Sequence, residues 1–292
     1  MITQLRSTFS VAELCAALDV SRAGYHASLQ RPPSLRSVAN DALLEQIRGV
    51  HNHRHTRSYG SPRMTHTLRH QGVACSENRV ARIMRENGLR ARPRRPFRPR
   101  TTDPDHAAHP SPNLLLQAEA PTAPGQQIVS DITYVPTAEG WLYLAVVMDL
   151  FSRSILGWKV SEHLHSDLTC SALSNAMATG VVPLSAIFHS DRGCQYTSSQ
   201  FRTEITRFQL QQSMSAKGYC YDNAFAESLF ASIKNELLPN DHCFPSRRSA
   251  RTAIFDYIET FYNSKRLHSS LNYSTPHSVL AKSFLSSQPS LN

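Results

Sequence analysis

Lysine is absent from the first hundred residues, no close Cys-x-x-Cys pair occurs anywhere, and no apolar run approaches the length of a membrane span. Each absence narrows the reading. A bilayer-crossing helix needs about 20 apolar residues. With no signal-peptide pattern either, a soluble, cytoplasmic chain without a membrane partner is expected. The six cysteines (Cys15, Cys75, Cys170, Cys194, Cys220 and Cys243) are scattered. That argues against a zinc site or a disulfide framework and for reduced thiols. With lysine missing, the positive charge of the first hundred residues is all arginine: 18 Arg against 6 acids, a net of +12. Residues 101–292 carry 13 basic and 16 acidic side chains, so the excess behind the overall +9 lies in the first third. A basic segment joined to a mildly acidic one suggests a nucleic-acid-binding part beside a catalytic part. The bland alternative is a solvated arginine-rich surface.

Residues 8–30 read as a short helix-turn-helix, with Val11, Leu14, Leu18 and Val20 as apolar positions. Ser21 caps its second helix, and Pro32 and Pro33 stop it. Residues 40–90 repeat the theme. Leu43, Leu44, Ile47 and Val50 mark one helical face. Ser61 caps the next helix with Pro62 at its first position, and Gly72 ends it. Ser76 caps a third helix with Val80, Ile83 and Met84 inside, Arg79, Arg82 and Arg85 on the opposite side, and Gly88 at its end. His51, His53 and His55 alternate, and a solvated polar loop is expected there rather than a metal site. From Arg90 to Arg100, six Arg and three Pro, including Arg92, Arg94 and Arg95, form an extended basic arm. It tracks a DNA backbone or is only a solvated linker.

From residue 126 the pattern turns to strands. Runs at 127–135, 141–150 and 154–160 predict an antiparallel meander. A helix at 166–179, a strand at 186–190, a helix at 198–208, a strand near 210–215 and a helix from Asp222 to Leu237 follow. This is an α/β order: a mixed sheet with helices on both faces, preceded by an all-α region. The expected division is a helix-turn-helix segment (1–35), a helical DNA-binding domain (36–90), a basic arm and linker (91–125), a catalytic core (126–238) and a C-terminal helical segment (239–292).

Three acids sit where a core would not place charge. Asp131 interrupts the apolar run around Ile128-Val129 and Ile132; Asp191 follows Ile187-Phe188-His189-Ser190; Glu227 lies in the last predicted helix, with thirty-five residues between it and Asp191. Two carboxylates on strands and one on a helix can hold two divalent metal ions for phosphodiester chemistry. Mg²⁺ prefers oxygen ligands, and two such ions about 3.5–4 Å apart can stabilise both attacking and leaving oxygens. Lys234 follows Glu227 by seven positions, on the same helical face. Asn223, one turn before Glu227, can orient it or touch DNA. His189 shares the Asp191 face if the strand persists, as an active-site neighbour or as a satisfied buried histidine. Asp149 rivals Asp131 as a ligand, but a carboxylate there can instead accept bonds from the turn that follows.

The motifs DITYV at 131, GWLYLAVVMDLFSRSILGW from 140, HSDRGCQYTS from 189 and SMSAKGYCYDNAFAES from 213, with Lys234 and Glu236 downstream, resemble the catalytic OrfB-type transposases of bacterial insertion sequences, the IS-three family. SRAGYHA from 21, YGSPRM from 59 and RVARIMRENGLRAR from 79 resemble that family's N-terminal region, and Tyr262-Asn263, Arg266, His268 and Pro276 its closing segment. The resemblance implies a ribonuclease-H-like integrase core and a metal-binding catalytic triad at Asp131, Asp191 and Glu227. It implies Mg²⁺ or Mn²⁺, two ions with DNA bound, and DNA contact by Lys234. Terminal inverted repeats and target DNA would be the partners, engaged by a homo-oligomer. A frameshift fusion to an upstream helix-turn-helix and zipper protein is also implied. Two readings from other classes are a DNA-binding regulator with a vestigial catalytic fold and a structure-directed nuclease of the ribonuclease H or resolvase kind. Cleavage assays with Mg²⁺, on hybrids and on element-end DNA, separate them.

Overall fold

The computed structural model describes residues 1–92, 111–215, 224–239 and 242–286, with the side chains of 224–227 outside the description. The chain divides into two compact units, Met1–Arg48 and Gly49–Asn292. The division falls inside one helix, whereas the sequence suggests a boundary near residue 35.

The first unit is helical: α1 (Ile2–Leu5), α2 (Val11–Ala17), α3 (Arg22–Gln30) and most of α4 (Leu35–Asn52). A capping box starts α2, with the Ser10 hydroxyl accepting from the Glu13 amide and the Glu13 carboxylate accepting from the Ser10 amide. Ser21 caps α3 as the sequence predicts, accepting from the Gly24 amide at 3.0 Å. Leu14, Cys15 and Tyr25 are buried, but Leu18 and Val20, expected inside, are exposed. They follow the last turn of α2 rather than its apolar face.

The second unit opens with α5 (Ser61–His70) and α6 (Glu77–Glu86), which bury Met64 and Leu68 against Val80, Ile83 and Met84. The α5 cap sits one residue earlier than predicted: Gly60 is the cap and makes no side-chain bond, and Ser61-Pro62 are already helical. The sheet-bearing part has β1 (Gln127–Thr137), β2 (Gly140–Asp149), β3 (Ile155–Ser161), α7 (Ser166–Ala178), β4 (Ile187–Ser190), α8 (Cys194–Thr197), α9 (Ser199–Arg207), β5 (Gln211–Met214) and α10 (Ala224–Leu237). The strands make a five-stranded sheet in the order β3-β2-β1-β4-β5. β1, β2 and β3 pair antiparallel; β4 joins β1, and β5 joins β4, in parallel. This is the mixed, ribonuclease-H-like sheet that the sequence predicts.

Alternation along β2 divides the core in two. Leu142, Leu144, Val146 and Met148 face α10 and the C-terminal helices, whereas Ala145 and Val147 face α7 and α9. Gly157 on β3 lets α7 approach closely: a Cβ there would stand 2.3 Å from the Ala172 carbonyl and 2.4 Å from the Ala176 nitrogen. After α10 come α11 (Arg247–Phe255), a π-helical continuation over Asp256–Tyr262, and α12 (Pro276–Ser286). Asn263 ties this segment to the sheet. Its amide donates to the Ile155 carbonyl and its oxygen accepts from the Ile155 nitrogen, both at 2.9 Å, as a neighbouring strand would. His55 is not in a solvated loop. It is buried, stacks on Phe261 and meets the Asp256 carboxylate at 3.0 Å. Among the described residues no group of three or more metal-ligating side chains gathers, and no helix is long and apolar enough to cross a membrane.

Candidate active site

β1 and β4 pair Gln127 with Ile187, Ile128 with Phe188 and Val129 with His189. Carrying that register two residues further sets Asp131 beside Asp191, which follows the last residue of β4. Parallel neighbours lie about 4.8 Å apart, so the two acidic positions are adjacent where the parallel pair ends. Strand alternation puts Asp131 on the face of Val129 and Val135, the face covered by α10.

Both carboxylates are half-buried. Asp131 Oδ1 accepts from the Ile132 amide at 2.7 Å, and Asp191 Oδ1 accepts from the Gly193 amide at 3.0 Å. Burial pushes the Asp191 carboxyl above its ordinary range, against the pull of the Gly193 amide. A Cβ at Gly193 would stand only 3.0 Å from Asp191 Oδ1, so glycine leaves that carboxylate its space. Tyr196 senses both acids. Its buried hydroxyl lies 2.9 Å from Ser130 Oγ, and burial, then the charges of Asp131 and Asp191, drive its phenol well up. Tyr134 is raised as well, by burial first, with Tyr143, Cys194 and Asp191 adding to it. Both phenols therefore stay protonated beside the acids.

α10 presses Leu229, Phe230, Ile233 and Leu237 into the core beneath the sheet. Lys234 stands half-buried on the same helix. Burial pulls its ammonium below the ordinary value, and the Asp131 carboxylate pulls the other way, so the two lie within electrostatic reach. Position 227 is on α10 two turns earlier; its side chain lies outside the described residues, as does Asn223. The structure thus sets Asp131 beside Asp191 and brings Lys234, on the helix that also bears position 227, within electrostatic reach of Asp131.

The rival acid is accounted for. Asp149 is fully buried and accepts from the Gly125 amide (2.9 Å), the Ser152 amide (2.8 Å) and the Ser152 hydroxyl (2.6 Å), so it closes the β2–β3 turn. His189 is buried, with Nδ1 2.8 Å from Ser213 Oγ on β5. Among the arginines expected on DNA, Arg85 is exposed and Arg82 reaches Glu86 at 3.8 Å one turn away. Arg79 is half-buried, and its amide donates to the capping Ser76 hydroxyl at 3.4 Å. Arg94 and Arg95 lie outside the described residues. Arg92 has its guanidinium on main-chain carbonyls at the end of α10.

Sequence reasoning did not single out Tyr196, Ser130 or the buried cluster behind Lys234. There the Glu236 carboxylate accepts from Arg266 Nε (2.7 Å), Arg266 Nη2 (2.8 Å) and the Tyr257 hydroxyl (2.8 Å). The available signal was an acid among Leu229, Ile233 and Leu237 on the apolar face of α10, which calls for a buried partner.

Models of the integrase core domain match residues 121–220 and 208–276, and a model of an HTH-like domain matches residues 39–97. The chain is 41% identical over 271 residues to the transposase InsF for insertion sequence IS3A of Escherichia coli (strain K12), covering 92% of this chain and 93% of that one. It is 40% identical over 263 residues to the insertion element IS600 uncharacterized 31 kDa protein of Shigella sonnei, covering 90% and 96%. Among solved structures, the HTLV-2 integrase catalytic core domain in complex with magnesium aligns with a TM-score of 0.41 at 19% identity, covering 54% of this chain and 97% of that one. With an integrase core, an HTH-like region and relatives matched along nearly the whole chain, this protein belongs to the IS-three family of insertion-sequence transposases, DNA-binding polynucleotidyl transferases of the integrase superfamily.

Proposed function

We propose that this transposase cuts DNA at the ends of its insertion sequence and joins the freed strand to new DNA by direct phosphodiester attack, with Asp131, Asp191 and Glu227 as the metal-binding triad. The observation that supports it most is the register of β1 and β4, which sets Asp131, on the sheet face that α10 covers, beside Asp191; α10 is the helix that bears positions 227 and 234. The donor set fits a hard cation. Two half-buried carboxylates at adjacent strand positions offer oxygen ligands and leave room for phosphate and water. Mg²⁺ or Mn²⁺, two ions when DNA is present, would supply Lewis-acid stabilisation of the attacking and leaving oxygens.

The chain's own residues do the positioning. Lys234 offers its ammonium to a phosphate oxygen beside Asp131 and its charge counters that of the Asp131 carboxylate. Tyr196 holds Ser130 and props the strand that carries Asp131. Water attacks first and leaves a 3′-hydroxyl on the element's end; that hydroxyl then attacks a second phosphodiester. No protein–DNA covalent bond is needed, and proximity and charge carry the rate. Arg79, Arg82 and Arg85 on α6, Arg94 and Arg95 in the arm, and Asn223 are the proposed DNA contacts, with helices of residues 36–90 reading the terminal repeats. Double-stranded element-end and target DNA are the partners. We place a homo-oligomer on DNA, with the family's upstream helix-turn-helix and zipper protein as a fusion partner.

The test is incubation of the purified chain with DNA bearing the element's ends, in Mg²⁺, Mn²⁺ or EDTA, with products resolved on sequencing gels. A nick leaving a 3′-hydroxyl at the element boundary, and a joined product, each dependent on the metal, are expected. Cleavage that persists in EDTA, or nicks scattered without regard to the ends, overturns the reading.

A further inference from the structure

The last turn of a helix leaves carbonyls without intrahelical partners, and cations are favoured at that end. At the end of α10, one carbonyl of the last turn (Asn235) and those of the two residues that follow the helix (Leu238 and Pro239) are taken by arginines from the N-terminal side of the same compact unit. Arg92 Nη1 donates to the Leu238 carbonyl at 2.6 Å and to the Asn235 carbonyl at 3.3 Å, and its Nη2 donates to the Pro239 carbonyl at 2.7 Å. Arg57 Nη2 donates to the Leu238 carbonyl at 3.3 Å. The two arginines are tied to each other, because the Arg92 amide donates to the Arg57 carbonyl at 3.3 Å. On α10 itself, the buried Glu236 carboxylate stands 3.7 Å from Arg63 of α5.

We propose that Arg57 and Arg92 are positioning residues for the reaction: they hold the C-terminal end of α10 and so set the axial placement of Lys234 and Glu227 against Asp131 and Asp191. A helix is stiff along its axis, with a rise of about 1.5 Å per residue. Fixing its end at 235–239 therefore fixes every position before it. This rests on the triad reading above. It also gives the start of the basic arm a second purpose: Arg92 acts on the catalytic helix rather than on a phosphate. A one-residue slip of α10 would displace its reactive side chains by about 1.5 Å, and a misplacement of about 1 Å can cost about a hundredfold in rate.

The experiment uses the full chain in four forms: wild type, Arg92→Ala, Arg92→Lys and Arg57→Ala, with Asp131→Asn as a reference. Three quantities are measured: end-DNA affinity across a salt series, single-turnover cleavage at saturating DNA across a Mg²⁺ titration, and hydrogen exchange of peptides covering 228–238. Arg92→Ala is expected to lose about tenfold to a hundredfold in cleavage rate, to need more Mg²⁺ for half-maximal rate, and to exchange faster in 228–238. Its end-DNA affinity and salt slope should stay within twofold of wild type. Arg57→Ala should show the same changes more weakly, and Arg92→Lys should recover part of the rate, since an ammonium cannot span three carbonyls as a guanidinium fork does. Two results overturn the proposal: an unchanged rate and unchanged exchange, or a rate loss matched by weaker DNA binding with a shallower salt slope, which makes Arg92 a phosphate contact. Should Arg92→Ala fail to fold, Arg92→Lys and Arg57→Ala decide by the same criteria. An active Asp131→Asn would instead remove the triad reading while leaving the exchange result to judge the clamp.

Discussion

Truncation of Glu236 to alanine should destabilise the second unit strongly. Its carboxylate and the Arg266 guanidinium are 3% and 4% exposed, and they meet through two charge-assisted bonds. The Tyr257 hydroxyl adds a third bond, and Tyr257 is itself fully buried. Glu236→Ala would leave a guanidinium and a phenol without their acceptor in a water-excluded core. Breaking a buried pair on one side costs about 3–5 kcal/mol, because the remaining charge is uncompensated. For a unit of this size each kcal/mol moves the melting temperature by about 2–4 °C, so a drop of roughly 6–20 °C is expected. Urea unfolding followed by Trp141 and Trp158 fluorescence measures the free-energy loss, and a thermal melt the temperature drop, since both reporters lie in the same unit. The double variant Glu236→Leu with Arg266→Met should recover more than half of the loss, because no charge is then stranded. A Glu236→Ala variant within about 1 kcal/mol of wild type, or a double variant less stable than either single one, would show that the stranded charge is not what Glu236 prevents.

Other outcomes follow from the same packing and charges. Gly157→Ala should cost about 1–3 kcal/mol or more through overpacking, since its new methyl meets the α7 backbone at 2.3 Å; a variant as stable as wild type in urea would mean that α7 yields at no cost. His268 is buried, and its pKa falls to about 2 through burial and then the charges of Arg266, Arg63 and Arg153. Its folded value lies below the unfolded one, so the unfolded chain binds more protons between the two. Stability should therefore fall as pH drops below about 6.5, by up to about 1.4 kcal/mol per unit. His268→Gln should flatten that slope between pH 6.5 and 5, and an unchanged slope would reassign it. Arg85, exposed on α6, should neutralise a phosphate, so Arg85→Ala should reduce the salt slope of full-chain DNA binding by about 0.9. An unaltered slope would return Arg85 to the solvated surface.

The sheet was legible because its strands carry long apolar or alternating runs: β1, β2 and β3 begin and end within two residues of their predicted limits. The four-residue α8 went unread, since one helical turn leaves no periodicity to find. Asp131 was visible as a charge interrupting an apolar strand and Asp191 as one at the end of another, but their adjacency required the parallel register of β1 with β4, which no local pattern encodes. His55 looked polar and solvated because its partners, Asp256 and Phe261, lie some two hundred residues on. Arginine is the hardest case. Arg92 sits in a basic run whose charge pattern is the same whether the guanidinium meets a phosphate or the carbonyls of α10, and only geometry distinguishes them.

Asp131, Asp191 and Glu227 are proposed to act in the chemistry and not in DNA affinity or folding. The direct measurement is cleavage of element-end DNA by Asp131→Asn, Asp191→Asn and Glu227→Gln, each assayed beside wild type in Mg²⁺ and in Mn²⁺. Gel-shift affinity and melting temperature are recorded on the same preparations. All three should lose cleavage in both metals while binding the ends within a few-fold of wild type and melting at or above its temperature. Full cleavage by any one of them, or a loss of activity that merely tracks lost DNA binding, would contradict the account.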